Sequence, residues 1–138
     1  MGKFGQVAVK ATYLLNSAKV SDPREAWDSA TRTLLSYSTS MMRKHCPRSA
    51  YLGLCEEGLV KGAPREHWLT SDVNKLYAVR AVQELRIDER WLKKPMMHLW
   101  RQVSRSQTKV ANSQIDVVFA LWQNGLITQE PISEQISN

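Results

Sequence analysis

The sequence predicts an all-α fold: a single compact domain of about six helices with a flexible C-terminal tail. Three observations lead there. Apolar residues recur at steps of three and four along most of the chain, and no stretch alternates as a half-buried strand would. Capping residues and prolines stand where those stripes begin. Two stripes stop at a glycine followed at once by two aliphatics, LCEEGLV and LWQNGLI. Glycine adopts the left-handed conformation that ends a helix without steric cost, and an apolar residue just beyond it packs back on the last turn.

The elements follow in order. Phe4, Val7, Ala8, Ala11, Leu14, Leu15 and Ala18 form the first stripe. Asp22 can cap the second helix, Pro23 suits its first position and Glu25 stands three residues after the cap. Its stripe, Trp27, Ala30, Leu34, Tyr37 and Met41, predicts a helix reaching Met41. Pro47 opens a third helix with Tyr51, Leu54 and Cys55, which Gly58 ends. Residues 61–70, KGAPREHWLT, read as a loop, and Ser71 can cap a fourth helix with Val73, Leu76, Tyr77, Ala81 and Leu85. Asp88 begins a short segment with Trp91 and Leu92. Pro95 begins a helix with Met96, Leu99, Trp100 and Val103 on one face. Ser113, with Asp116 three residues on, caps a last helix bearing Ile115, Val118, Phe119 and Trp122, stopped by Gly125. The domain is therefore placed at 1–128 and the tail at 129–138.

The totals narrow the classes. The chain has 138 residues, enough for one domain with a radius of gyration of about 14 Å and a core that needs no disulfide or metal. No apolar run approaches the roughly 20 residues of a membrane helix, and MGKFGQVAVKATYLL lacks the features of a signal peptide. Cys46 and Cys55 lie nine positions apart, about 13 Å along a helix, whereas a disulfide needs Cα atoms within about 7 Å. Free thiols and a cytoplasmic location are expected. The cysteines and three scattered histidines show no metal spacing, so no cofactor is expected.

The stretch KHCPRSAYLGLCEEGLVKG, residues 44–62, resembles an uncharacterised family of small bacterial proteins, and Asn74-Lys75-Leu76-Tyr77-Ala78 is similar too. The resemblance implies a bacterial or phage origin. It brings no activity and no site residues.

Charge is uneven along the chain, whose net charge is +6. Residues 86–110 hold seven basic and two acidic residues, and residues 111–138 hold three acidic and no basic ones. Read as helix, Arg86, Arg90 and Lys94 recur every fourth position, and so do Arg101, Arg105 and Lys109. Such rows repel by a few tenths of a kcal/mol per pair and favour an anionic partner. Trp91, Trp100 and Gln102 lie among them, a mixture suited to phosphate contact and base stacking. The candidate binding residues are Arg86, Arg90, Trp91, Lys93, Lys94, Arg101, Arg105 and Lys109. The expected function is a non-catalytic binding module using residues 86–109, with nucleic acid slightly ahead as partner; the alternative is a regulator or inhibitor that binds an acidic protein partner. A solvated basic face with inward tryptophans is the plainer alternative.

Cys46 supports a different class, a thiol-dependent enzyme or redox sensor. It stands at a helix start among Arg43, Lys44, His45 and Arg48, a setting that favours thiolate chemistry. Glu56 and Glu57, on a helix's last turn, are expected to pair with Lys61 or Arg65. No glycine-rich phosphate loop, Gly-x-Ser-x-Gly or HExxH occurs.

Overall fold

The computed structural model describes residues 2–69, 73–106 and 113–133. The chain runs α1 (Lys3–Asn16), α2 (Pro23–Leu34), α3 (Thr39–Met42), α4 (His45–Glu56), α5 (Val73–Ile87), a 3-10 helix (Glu89–Lys93), α6 (Met96–Ser104) and α7 (Ser113–Gln123). Apart from the single turn α3, this is the all-α domain of six helices that the periodicity predicts.

Helix α7 is the hub, packed against α1, α4, α5 and α6. Every residue from Gln114 to Leu121 is buried, which is why this helix reads as an almost unbroken apolar run instead of a stripe. Around it α1 lies on α2, and α4 lies on α5. Two aromatic pairs fill the joints. Trp27 meets Tyr51 between α2 and α4 with ring centroids 5.3 Å apart, and Tyr77 meets Trp100 edge-on between α5 and α6 at 5.0 Å.

The second helix is shorter than its stripe suggests. Asp22 caps it as expected, accepting from the Arg24 amide at 2.8 Å. It ends at Leu34, however, and Leu35 rather than Tyr37 takes the core position. Tyr37 is 64% exposed. The run Ser36-Tyr37-Ser38-Thr39-Ser40 favours local side-chain bonds over a continuing helix. Ser38 starts α3 afresh, its hydroxyl accepting from the Met41 amide at 3.3 Å.

Other starts also differ. Helix α4 begins at His45, so Pro47 is its third residue, not its first. Ser71 lies outside the described residues. Ser113 is the first residue of α7, and Asp116 serves another helix. Its carboxylate accepts from the Gly2 amide at 2.9 Å and the Gly5 amide at 2.8 Å, capping the start of α1, where no side chain of α1 does so.

Both glycine stops are Schellman turns. Gly58 donates to the Cys55 carbonyl and Leu59 to the Leu54 carbonyl; Gly125 donates to Trp122 and Leu126 to Leu121. Both glycines are left-handed, with φ of 73° and 69°. The aliphatics beyond them then pair with each other. Val60 and Ile127 form an antiparallel bridge, with Lys61 donating to the Leu126 carbonyl and Thr128 to the Leu59 carbonyl, both at 2.9 Å. The repeated stop thus brings the ends of α4 and α7 together. It is the one extended pairing among the described residues, and periodicity gave no sign of it.

Helices α4 and α5 touch closely at Gly53, where a Cβ would lie 2.4 Å from the Lys75 Cβ. Lys75 then reaches two carboxylates, Glu56 at 2.8 Å and Glu57 at 3.0 Å, in place of the expected Lys61 or Arg65. The other Glu56 oxygen accepts from the amides of Trp68 and Leu69 at 2.8 and 2.7 Å, anchoring the proline loop to α4. Burial alone would raise the Glu56 carboxyl, but Lys75 and the two amides bring it below the usual carboxylate value. Beyond Thr128, residues 129–133 form no helix, and Ile132 rests on the core. The rest of the expected tail lies outside the described residues.

Candidate anion-binding surface

The basic candidates sit on the end of α5, the 3-10 helix and α6, three elements packed on one another. Their anticipated helical rows are interrupted. Helix α5 stops at Ile87 and Asp88 caps a new turn, accepting from the Arg90 amide at 2.9 Å, so Arg86, Arg90 and Lys94 do not share a helix. Helix α6 stops at Ser104, where Arg105 turns left-handed at φ 55°. Lys109 lies outside the described residues.

Within this frame the side chains differ in use. Arg86 is committed to the fold: its Nη2 donates to the Thr128 carbonyl at 2.9 Å, bracing the segment beyond the Val60–Ile127 bridge, and its Nε is buried. Arg90 is exposed and meets the Asp88 carboxylate through Nε and Nη2, each at 3.0 Å. That hydrogen-bonded guanidinium holds the Asp88 carboxyl below its usual range. The Lys94 ammonium lies 4.9 Å from the Trp91 ring centroid, so the half-buried Trp91 has one face already occupied. Lys93, Arg101 and Arg105 are exposed. Trp100 is 1% exposed, which places it in the core and removes it as a stacking group.

Arg80 belongs to the same neighbourhood. From α5 its Nη1 donates to the Val103 carbonyl at 3.0 Å near the end of α6. Partial burial and the nearby Arg105 both lower its pKa.

Cys46 is half-buried at the second position of α4. The His45 ring lies 3.1 Å from the Ser49 hydroxyl through Nε2. Cys55 is fully buried, and burial pushes its thiol well up, so it behaves as a core residue. Both cysteines are free. Among the described residues no group of His, Cys, Asp and Glu could hold a metal.

A family model matches residues 1–128. The chain belongs to DUF6979, a family of unknown function. No curated protein and no solved structure matches it. The match is wider than the resemblance in residues 44–62, and it agrees with an uncharacterised family.

In this DUF6979 chain no described helix is long and apolar enough to cross a membrane. Sequence reasoning missed Arg80 because it searched for clusters of charge. The signal was a lone arginine in the apolar run YAVRAV. It also assigned Asp116 to its own helix, since nothing local reveals that the amides of Gly2 and Gly5 approach it.

Proposed function

We propose that this protein is a non-catalytic binding module whose 3-10 helix and α6 contact the phosphate backbone of a nucleic acid. One observation carries the reading: Arg90, Lys93, Lys94, Arg101 and Arg105 surround these elements in exposed positions, and among the described residues the Asp88 carboxylate forms a salt bridge with Arg90 alone. Exposed guanidinium and ammonium groups along a short helical stretch suit phosphate contacts, which set register without reading sequence. With Trp100 in the core and one face of the half-buried Trp91 taken by Lys94, stacking contributes little, and duplex and single strand should bind alike. Free thiols fit the cytoplasmic location we infer with it.

The test is fluorescence anisotropy with a labelled duplex and a labelled single strand at about 50 and 200 mM salt. Affinity should fall steeply with salt. The Lys93→Gln/Arg101→Gln variant should bind more weakly, and its log–log salt slope should shrink by about 0.9 per lost duplex contact. No binding at the lower salt would remove the reading and leave an acidic protein surface as the partner for the same cations.

A further inference from the structure

We propose that a cleft between α2, α3 and α4, remote in sequence from the basic 3-10 helix and α6, binds a small molecule through a phosphate group. The cleft holds about 370 Å³ and is lined by Asp28, Thr31, Arg32, Met42, Arg43 and Arg48. Three separate elements bring in the three arginines: the last turn of α2, the end of α3 and the first turn of α4.

The cleft's one carboxylate does not neutralise this set. Asp28 accepts from Arg48 Nε at 2.9 Å and Nη2 at 3.2 Å, so it orients the guanidinium and spends its charge there. Arg32 and Arg43 are exposed and make no ion pair among the described residues. The lining therefore carries three positive charges against one negative, a surplus that matches the roughly −1.5 to −2 of a phosphate monoester near neutral pH. Arginine suits that anion because its planar fork binds two oxygens at once.

The frame is set before any ligand arrives. The Arg43 amide donates to the Thr39 carbonyl at 3.2 Å and the Lys44 amide to the Met41 carbonyl at 3.2 Å, fixing the bend that brings Arg43 over the cleft. Thr31 Oγ1 donates to the Asp28 carbonyl at 2.7 Å within α2. Helix α4 starts between Arg43 and Arg48 without a side-chain cap, adding the positive end of its dipole. The volume lies at the small end of ligand sites, about 300–1,000 Å³, which favours a small phosphorylated compound over a polymer.

The experiment is calorimetric titration of the full chain with inorganic phosphate and pyrophosphate, with acetate as the carboxylate control. Both phosphates should bind and acetate should not. Arg32→Gln/Arg43→Gln should weaken pyrophosphate at least tenfold while leaving the far-ultraviolet dichroism and melting unchanged, because neither side chain is used by the fold. Lys93→Gln/Arg101→Gln should leave pyrophosphate binding as it is, which separates this site from the proposed nucleic-acid surface. No heat at millimolar phosphate, equal binding of acetate, or wild-type affinity in Arg32→Gln/Arg43→Gln would overturn the proposal. An equal loss in Lys93→Gln/Arg101→Gln would also overturn it.

Discussion

Replacing Gly53 by alanine opposes two effects of different sign. Position 53 is interior to α4, and in a helix interior alanine is favoured over glycine by about 1 kcal/mol. Propensity alone therefore predicts a more stable protein. Packing predicts the reverse. The new methyl would lie 2.4 Å from Lys75 Cβ, 2.5 Å from its Cγ and 2.8 Å from its Cα, whereas carbon atoms prefer about 3.5–4.0 Å. A side chain cannot swing away from a clash that involves its own Cα and Cβ, so α5 must retreat by about 1 Å to restore that spacing. Overpacking of this kind costs about 1–3 kcal/mol. The retreat also stretches the Lys75 bonds to Glu56 and Glu57, now 2.8 and 3.0 Å, each a charge-assisted bond worth about 1.5–3 kcal/mol when fully lost. Overpacking less the propensity gain leaves about 0–2 kcal/mol, and the weakened Lys75 bonds bring the net loss to about 1–3 kcal/mol. In a domain of this size that lowers the melting temperature by roughly 3–12 °C. Urea unfolding followed by far-ultraviolet dichroism measures it as a lower midpoint. An unchanged or raised midpoint would mean that helix propensity prevails and that the α4–α5 contact is looser than its geometry.

The Glu56 anchor gives the acid limb of stability a defined sign. Its carboxyl titrates below the ordinary 4.5 in the folded chain, so its contribution is complete above that value and fades as pH falls through the lower, folded one. The urea midpoint of the wild type should drop more steeply on acidification than that of Glu56→Gln, and parallel acid limbs would count against the anchor. The two thiols should separate in a titration with a disulfide reagent, Cys46 reacting in the native chain and Cys55, 0% exposed, only after denaturation. Two thiols reacting natively at one rate would contradict the buried position of Cys55.

The helices were legible because most bury apolar residues at helical spacing. The Trp27–Ala30 step on α2 and the Leu99–Val103 step on α6 both lead into the core. Where the reading failed, a long-range contact outweighed a local rule. Tyr37 continues the stripe of α2 by spacing, yet Leu35 fills the core and Tyr37 faces water. Asp116 has the spacing of a local cap, but the amides of α1 occupy it. The same limit applied to the charged residues. Composition located the basic block, but it could not show that Arg86 is tied to the Thr128 carbonyl or that Arg43 and Arg48, five positions apart, share a cleft with Arg32.

That division of the charged residues decides how binding can be tested. Lys75, Arg80 and Arg86 bond to the groups that hold helices together, so substituting any of them alters the frame and any binding at once. A variant that removed the whole block from Arg86 onward would lose the brace on the bridged segment, and a loss of nucleic-acid affinity could then be blamed on the fold. Lys93, Arg101, Arg32 and Arg43 are different. They are exposed, and surface substitutions away from such contacts usually change stability by no more than about 0.5 kcal/mol. Neutralising Lys93 with Arg101, or Arg32 with Arg43, thus removes charge while sparing the architecture. If each pair leaves melting untouched and abolishes a different ligand, the two surfaces act separately. If either pair lowers the melting temperature substantially, its cations belong to the frame, and the binding assigned to it fails with them.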